Sequence, residues 1–394
     1  MTRVPANGRV PIVYFGNDWF ADNRTSSHHI AQRLSKRHPL LYVEAPGFRA
    51  PKATARDVRK LWRKLRRAAS PPSAIHPQMW HMTMPQIPFR RLPFVPTLNR
   101  WMGRVLVRRA LRRLGFTRPL LWCVAPHMAP LAGQLGERFL VYYCIDDYAS
   151  LPDIDSREIR RMDEALARTA DQVFVSSPAL LEPKQRLNPH TTYSPHGVDV
   201  DLFQQALDPA LPLAEGARHL RHPIIGFFGL LEAWVDRDLL AYLARARPEW
   251  TFLLIGRIAV DVSDLRSLPN VVFPGPQPYE TLPRWAKAFD AAIIPFRQNE
   301  LVRNVNPLKL REYLATGKPV VSVWMPEVER FAECVGIART HEEFLEQLDD
   351  ALKTDSEDKR AARRNAVAGM TWEARVDEVL GIVNRRMEAH RQAR

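Results

Sequence analysis

The sequence has few cysteines and no long apolar run, and both absences restrict what the protein can be. Its three cysteines, Cys123, Cys144 and Cys334, lie far apart, which argues against a disulfide framework or a cysteine-bound metal cluster. No stretch approaches the roughly 18 apolar residues that a membrane-spanning helix requires. The N-terminal segment also lacks the apolar core and small-residue cleavage site of a signal peptide. We therefore expect a reduced, cytoplasmic protein.

Acidic residues are nearly missing from one segment. Residues 48–118 contain 18 Lys and Arg against a single acid, Asp57, so this segment carries a net charge of +17 while the whole chain carries +14. The rest of the chain is therefore net −3. A charge concentrated in this way indicates a polyanionic surface or substrate close to one region of the protein.

Part of this basic segment has the pattern of an interfacial helix. Residues 57–68 (DVRKLWRKLRRA) are rich in Arg and Lys, and residues 89–94 and 100–113 add aromatic and cationic side chains. The apolar residues of the first stretch recur at i, i+3, i+4 and i+7: Val58, Leu61, Trp62 and Leu65. This spacing predicts a helix that docks on the anionic inner leaflet of a membrane. The alternative is that the stripe packs against its own domain and leaves a solvated basic face.

Short hydrophobic strands alternate with amphipathic helices in two successive series, one starting at residues 9–15 (RVPIVYF) and one at residues 224–228 (IIGFF). This order predicts an α/β protein with two doubly wound parallel sheets. Ligands of such sheets bind at the carboxyl ends of the strands, where Gly16, Gly229 and Gly256 fall. The predicted boundaries are a first domain 1–203 with the basic insertion 48–118, a linker 204–222, a second domain 223–371 and a C-terminal helix 372–394.

The most specific motif is NPLKLREYLATGKPVVS, which begins at Asn306. Asn306 suits the N-cap of a helix, Pro307 its first position and Gly317 its left-handed end. The N-terminus of a helix favours phosphate, because its amides are free and partly positive. Lys309 and Glu312 are three residues apart and share one helix face. Lys309 can reach toward phosphate, and Glu312 can accept hydrogen bonds from two ribose hydroxyls.

This motif resembles the C-terminal signature of retaining glycosyltransferases of the GT-B fold, family 4. Further segments follow in the family's order, including GFFG (226–229), FLLIG (252–256) and FDAAIIPF (289–296). The first half resembles the family more loosely, through VYYCIDDY and SPHGVDVDLF. The resemblance implies two facing Rossmann-like domains, with the C-terminal helix crossing back to the first. It is nearest to bacterial transferases of surface-polysaccharide assembly.

The resemblance also implies an activity. A sugar would move from a nucleotide-diphosphate sugar to a glycan or lipid-linked acceptor, with retention, in polysaccharide or glycolipid biosynthesis. The resemblance implies a metal-independent mechanism, so no cofactor and no metal is expected. Asp146-Asp147 is the exception, as a carboxylate pair of the kind that holds Mg²⁺ on a diphosphate. The protein would be cytoplasmic and peripheral on the inner membrane face.

Site residues follow from the same resemblance and from the strand ends. The candidate catalytic residues are Arg24, His127 and Asp146. Gly16 and His28 are expected to line the acceptor side. The candidate donor-binding residues are Gly229, Gly256, Arg297, Arg303, Asn304, Asn306, Lys309 and Glu312.

Two departures from the family pattern leave alternatives open. Asn304 stands where the family commonly has a first Glu, and Glu232, Asp236 and Arg237 stand where many members have an Arg and a Lys. These changes are compatible with a non-catalytic, transferase-like scaffold subunit. The basic segment is compatible with nucleic-acid binding. We favour the transferase and expect no nucleic-acid partner, because the aromatic residues lie on amphipathic stripes and not on a stacking platform.

Overall fold

The two series of strands form two separate sheets. The computed structural model describes residues 9–21, 24–44, 71–87, 94–150 and 154–392. These residues fold into two compact units. The first takes most of the chain up to Pro195 and the C-terminal part from Val376, and the second is built mainly by His196–Arg375. The α/β class with two parallel-sheet domains is confirmed.

The first unit has a sheet in the order β3-β4-β2-β1-β5-β6-β7-β8. All its neighbouring strands are parallel except the hairpin of β3 and β4. Its elements are β1 Ile12–Gly16, α1 Ser26–Ser35, β2 Leu40–Glu44, β3 Ser73–His76, β4 Met79–Thr83, α2 Val95–Leu114, β5 Leu120–Cys123, β6 Phe139–Cys144, α3 Ser156–Thr169, β7 Gln172–Val175, α4 Leu181–Gln185 and β8 Thr191–Tyr193.

A row of aromatic rings covers one face of this first sheet. The ring centroids of Tyr14 and Tyr42 lie 5.5 Å apart, those of Tyr14 and Trp122 6.3 Å, and those of Trp122 and Tyr143 6.1 Å. All four residues are fully buried. The near-continuous hydrophobic strands seen in the sequence are therefore buried on both faces, as parallel sheets require.

The second unit has a fully parallel sheet in the order β11-β10-β9-β12-β13-β14. Its elements are α5 Val200–Gln204, β9 Ile224–Phe228, α6 Arg237–Ala246, β10 Thr251–Ile255, α7 Ser263–Arg266, β11 Val271–Gly275, α8 Leu282–Ala286, β12 Ala291–Ile294, α9 Glu300–Arg303, α10 Leu308–Ala315, β13 Val320–Val323, α11 Pro326–Glu329, β14 Gly336–Ala338, α12 His341–Thr354, α13 Glu357–Val367 and α14 Trp372–Gln392.

The predicted linker, residues 204–222, belongs to the second unit, whose boundary with the first follows Pro195. Lys287 fastens this stretch, because its Nζ donates to the carbonyl oxygens of Asp208 and Leu211, each at 2.7 Å. The stretch predicted as a linker is therefore bound to its own unit through its backbone carbonyls.

The basic insertion contributes β3, β4 and helix α2 to the first unit. Residues 57–68, with their predicted interfacial helix, lie outside the described residues, as does most of 89–94. None of the described helices combines the length and hydropathy that crossing a membrane requires.

Helix α14 starts in the second unit, and from Val376 onward it belongs to the first. Val379 and Val383 are buried. Further along the helix, Arg386 donates to the carbonyl of Asp171 at 3.4 Å. The last described helix is therefore part of the body formed by the beginning of the chain.

The chain passes from the first unit to the second after Pro195 and returns to the first at Val376. Close to these two points, the backbone segments around Val198 and Thr371 contact each other within the second unit. The Val198 amide donates to the Met370 carbonyl at 2.9 Å, and Val198 forms a parallel bridge with Thr371. A Cβ at Gly197 would lie 2.8 Å from the backbone nitrogen and Cα of Trp372. Only glycine permits this approach of the two segments.

We predict that Gly197→Ala destabilises the protein by about 1–3 kcal/mol, because the new methyl group meets backbone that cannot move aside. Urea unfolding followed by circular dichroism measures the change. Gly369→Ala is the matched control, since a Cβ there meets nothing within 4 Å. Equal unfolding midpoints for the two variants would contradict the prediction.

Candidate active site

Two glycines at the carboxyl ends of β9 and β10 bring the backbone of both strands close together. Gly229 and Gly256 each have a φ of +142°, a conformation that side-chain-bearing residues rarely adopt. A Cβ at Gly256 would lie only 1.9 Å from the carbonyl oxygen of Gly229. The Gly229 amide in turn donates to the Ile255 carbonyl at 2.8 Å. Both positions therefore require glycine.

Lys309, on the first turn of α10, lies beside Gly229. Its Cε and Nζ are 3.1 Å and 3.3 Å from the position that a Cβ at Gly229 would occupy. The ammonium also lies 5.2 Å from the ring centroid of Phe227 and 4.8 Å from that of Phe296. Two aromatic faces thus hold the cation next to the open backbone of a strand end.

Glu312 is one turn further along α10 and is only 7% exposed. Its Oε1 accepts a hydrogen bond from the Tyr279 hydroxyl at 3.0 Å. Burial raises the pKa of the Glu312 carboxyl to about 7, against the opposing effects of Lys309 and of the Tyr279 hydrogen bond. Burial also lowers the pKa of Lys309, while Glu312 counteracts the shift. A cation and a carboxylate therefore share a poorly solvated place at the strand ends.

The first turn of α10 differs from the sequence prediction. Helix α10 begins at Leu308 with Pro307 as its N-cap residue, and no side chain caps it. The prediction that Asn306 is the N-cap was therefore wrong, because its side-chain oxygen accepts from Nη1 of Arg311 at 2.7 Å. The helix end is as predicted, with Gly317 at a φ of +75°.

A buried ion pair supports α10 from behind. Arg311 donates to the carboxylate of Glu327 on α11, and both side chains are almost fully buried. On the same helix, the Tyr313 hydroxyl accepts from the Phe228 amide at 2.9 Å, which fixes α10 against the end of β9. Tyr313 and Arg311 thus hold the helix in the register that presents Lys309 and Glu312.

The other predicted donor-binding residues lie in the loop and short helix before α10. Arg297 is 3.8 Å from the carboxylate of Asp238 through its Nη2 and is 43% exposed at the side chain. Arg303 is exposed at the end of α9, and the half-buried Asn304 is the C-cap of that helix. The contacts described here connect Lys309, Glu312 and Gly229 directly, and the roles of Arg297, Arg303 and Asn304 stay predictions.

In the first unit, Gly16 and His28 shape the loop that follows β1. A Cβ at Gly16 would lie 2.2 Å from the Tyr42 hydroxyl, which donates to the Asn17 carbonyl at 2.7 Å. The His28 ring has its Nε2 2.9 Å from the Asp18 carbonyl and its Nδ1 in the N-terminal capping box of α1. These contacts give both residues a role in holding the loop, and their acceptor contacts stay a prediction. Arg24 lies half-buried at the end of the same loop and is grouped with the second unit.

His127 and Asp146 follow the neighbouring strands β5 and β6. His127 is buried in the 3-10 turn Pro126–Leu131, and Asp146 lies two residues beyond Cys144. Burial, together with the charge of Asp147, raises the pKa of Asp146 to about 7. A carboxyl that titrates near neutral pH at a strand end is placed to exchange a proton with a ligand. Among the described residues, no cluster of three or more His, Cys, Asp or Glu suits a metal ion.

Three further polar residues, on the paired strands β2 and β4, escaped the sequence analysis. Glu44, the last residue of β2, has its Oε2 3.3 Å from Nε2 of His81 and 3.5 Å from Oγ1 of Thr83. All three are buried, while Phe20, whose ring lies 5.1 Å from that of His81, is 58% exposed. Glu44 could have been found from the sequence, because a carboxylate at the end of the hydrophobic run PLLYVE is unusual for a buried strand.

Comparison with known proteins identifies the second unit. Residues 222–353 match the family described as Glycosyl transferases group 1. The second unit carries a group 1 glycosyltransferase domain. Gly229, Gly256, Lys309 and Glu312 all lie inside the matched range, so the contacts described above belong to that domain.

A curated relative extends this match. The chain is 30% identical over 231 residues to a candidate teichuronic acid biosynthesis glycosyltransferase, TuaH, of Bacillus subtilis (strain 168). This alignment covers 53% of the chain and 56% of TuaH. The chain thus spans about half the length of the curated relative it matches.

Several solved structures share the fold of this chain over nearly its whole length. Sucrose-phosphate synthase from Thermosynechococcus elongatus has a TM-score of 0.70 at 15% identity, covering 97% of this chain and all of the other. Anabaena HepE in complex with UDP and glucose has a TM-score of 0.65 at 16% identity, covering 96% and 100%. A trehalose 6-phosphate synthase from Burkholderia multivorans has 0.65 at 12% identity, covering 97% and 99%. The fold is that of the GT-B glycosyltransferases.

The buried pair behind α10 predicts a stability effect. Glu327→Ala leaves the Arg311 guanidinium buried without its carboxylate, and we expect a loss of about 3–5 kcal/mol in the free energy of unfolding. Glu329→Ala is the control, because its exposed carboxylate accepts from the indole of Trp324. Chemical unfolding of both variants measures the difference, and similar losses would contradict the prediction.

The raised pKa of Asp146 predicts a pH effect on stability. The folded protein holds this proton more tightly than the unfolded chain, so Asp146 costs stability as the pH rises from about 4 to 7. We expect Asp146→Asn to gain stability relative to the parent across this window and to match it at lower pH. Unfolding midpoints measured at several pH values test this. A difference that does not vary with pH would contradict it.

Proposed function

We propose that the protein is a retaining glycosyltransferase that moves a sugar from a nucleotide-diphosphate sugar to a glycan or lipid-linked acceptor. The observation that carries the proposal is the pairing of Lys309 and Glu312 on α10, beside the glycine-lined ends of β9 and β10. The group 1 domain and the fold support the reaction class. The complex of the structurally similar HepE with UDP and glucose supports a nucleotide-sugar donor.

In this proposal the diphosphate lies between Gly229 and the ammonium of Lys309. The missing side chain at Gly229 leaves space within 3.3 Å of Nζ, where a phosphate oxygen would meet both the cation and nearby backbone. A half-buried lysine with a lowered pKa gains more from an arriving anion than a fully solvated one does, because the anion favours its charged form. Charge that develops on the leaving diphosphate is then stabilised by groups already in place.

The ribose of the donor is assigned to Glu312. A carboxylate accepts hydrogen bonds from two adjacent hydroxyls, and the Tyr279 hydroxyl already orients one of its oxygens. Arg297 and Arg303 are the candidates for additional diphosphate contacts, and Asn304 for a contact with the donor sugar. Because Asn304 has no charge, its contact would be an amide hydrogen bond.

The acceptor is assigned to the strand ends of the first unit. Asp146, with a pKa of about 7, can take the proton of an attacking hydroxyl near neutral pH, and His127 and Arg24 are the candidates to position the reacting groups. Attack on the same face as the departing diphosphate, whose oxygen can accept a hydrogen bond from the attacking hydroxyl, would give retention: the bond from the sugar to the hydroxyl oxygen forms as the bond to the diphosphate breaks. No metal is part of this mechanism, in which Lys309 and backbone amides carry the phosphate charge.

We place the reaction in polysaccharide or glycolipid biosynthesis at the cytoplasmic face of an anionic membrane. The relationship to TuaH supports polysaccharide biosynthesis, and the net charge of +17 over residues 48–118 supports an anionic surface as partner.

Glu312→Gln tests the donor assignment. The amide loses the charge-assisted bonds to two hydroxyls, each worth roughly 1.5–3 kcal/mol, so nucleoside diphosphate affinity should fall on the order of 100-fold. Titration calorimetry with a panel of nucleoside diphosphates measures this, followed by donor turnover as nucleoside diphosphate release. The exposed Glu346→Gln on α12 is the control.

Two outcomes would remove the proposal. Unchanged affinity of Glu312→Gln would show that Glu312 does not hold the ribose. A parent protein that binds none of the nucleoside diphosphates would favour the scaffold alternative, which the uncharged Asn304 motivates.

A further inference from the structure

The outer face of helix α2 is apolar where a surface helix is normally polar. In the described residues, six large hydrophobic side chains are exposed, and four of them belong to α2 or to the residue before it. They are Phe94 at 62%, Leu98 at 39%, Trp101 at 54% and Val105 at 39% exposed. Steps of four, three and four residues place them on one line along the helix. We call these four residues the apolar row.

The same helix face turns cationic toward its C-terminal end. Arg108 and Arg112 continue the line of the apolar row, and Arg104 and Arg109 lie on its two sides. The helix has six arginines in all and no acidic residue. Helix α2 therefore has one exposed face, which is apolar in its first turns and carries arginines in its last turns.

The inner face fixes the orientation of α2. The side chain of Asn99 bonds both backbone groups of Ile87, accepting from its amide at 2.8 Å and donating to its carbonyl at 3.0 Å. A Cβ at Gly103 would lie 3.0 Å from the sulfur of Met84. Val107 is fully buried in the first unit's core. The helix is therefore held along its inner face, and the apolar row stays outside.

We propose that this face of α2 docks on an anionic lipid bilayer, with the apolar row in the interfacial layer and the arginines on headgroup phosphates. Interfacial helices combine these two features, Trp and Leu on one side and cations beside them. Arginine binds phosphate through paired N–H groups, and each basic residue near an anionic leaflet strengthens binding about fivefold.

Other occupants fit the face less well. A second copy of the chain would bring further arginines without a single acidic residue of α2 to neutralise them. A nucleic acid would pair with the arginines, but it would leave the aliphatic Leu98 and Val105 exposed beside its phosphates. A lipid surface satisfies the apolar and the cationic part together, and its phosphates match the net charge of +17 over residues 48–118.

This inference deepens the proposed function, since it names the surface that would bring the protein to a membrane-borne acceptor, and its test does not use catalysis. Co-sedimentation of the full chain with vesicles of phosphatidylcholine alone, or with phosphatidylglycerol added, is the assay. We expect binding to the anionic vesicles only, and weaker binding as salt rises. Equal binding to both vesicle types, or to neither, would overturn the proposal.

The apolar row is tested by Leu98→Glu combined with Trp101→Glu, which should lower partitioning on anionic vesicles at least about tenfold. Leu207→Glu is the matched control, because Leu207 is 42% exposed but lies in the second unit. It should bind as the parent does. Circular dichroism confirms that each variant is folded. A folded double variant with unchanged vesicle binding would overturn the proposal.

A second pair tests the arginines without changing the apolar row. Arg109→Glu combined with Arg112→Glu should weaken vesicle binding by about 25-fold or more, at about fivefold for each lost cation. The control replaces Arg157 and Arg160, both exposed on α3, by Glu. If both double variants lost vesicle binding equally, the effect would depend on net charge alone, and the assignment to α2 would be overturned.

Two parallel measurements separate the other outcomes. Sedimentation velocity that shows a dimer dissociated by the Leu98/Trp101 double variant would assign the face to a second copy, and oligonucleotide binding lost in the same variant would assign it to nucleic acid. Either result overturns the lipid proposal. Nucleoside diphosphate affinity should be the same in all these variants, so a failure of the donor assignment at Glu312 would leave the vesicle result interpretable by itself.

Discussion

The close approach of backbone at Gly229 and Gly256 is the constraint on which the candidate donor site depends. Two strand ends meet there with less than 2 Å between one carbonyl oxygen and the place where a side chain would begin. Because no side chain fits, the ends of β9 and β10 form a bare backbone surface, and the long side chain of Lys309 can lie across it. A methyl group at Gly229 would press against the same lysine. The chemistry at α10 is therefore possible only because two neighbouring positions have no side chain.

The charged pair above this surface is held in place by its surroundings, although burial disfavours both of its charges. Burial disfavours the charged form of Glu312 and of Lys309 alike, and each partner offsets only part of that cost for the other. Aromatic rings, the Tyr279 hydroxyl and the buried Arg311–Glu327 pair keep the two groups in place. A ligand with a phosphate and vicinal hydroxyls would supply further polar partners to both groups and so offset the cost of their burial.

Much of this architecture could be predicted from the sequence, because parallel strands buried on both faces appear as short hydrophobic runs. The strand predicted at residues 224–228 agrees with β9, and Gly317 ends its helix as expected. The α/β class with two sheets followed from the same rhythm. The motif around Glu312 predicted a helix that stops at Gly317, because its helix-stop signals and its polar residues lie close together in the chain.

What could not be predicted depends on contacts between residues distant in sequence. Asn306 was predicted to cap the helix, but its side-chain oxygen accepts a hydrogen bond from the buried Arg311. The hydrogen bond from Tyr279 to Glu312 joins residues 33 positions apart, and the Glu44–His81 contact joins two strands that local patterns do not pair. The arginines of helix α2 are visible in the sequence. Which of its apolar residues face outward depends on how the helix packs against the first unit, which the sequence does not reveal.

The return of helix α14 to the first unit has a consequence for how the protein is made. Residues from Val376 complete a body whose strands are all encoded before Pro195, so those strands leave the ribosome long before the helix that covers them. During translation the second unit can fold as a whole while the first still lacks a packing element. The first unit can therefore complete its packing only after synthesis has reached α14.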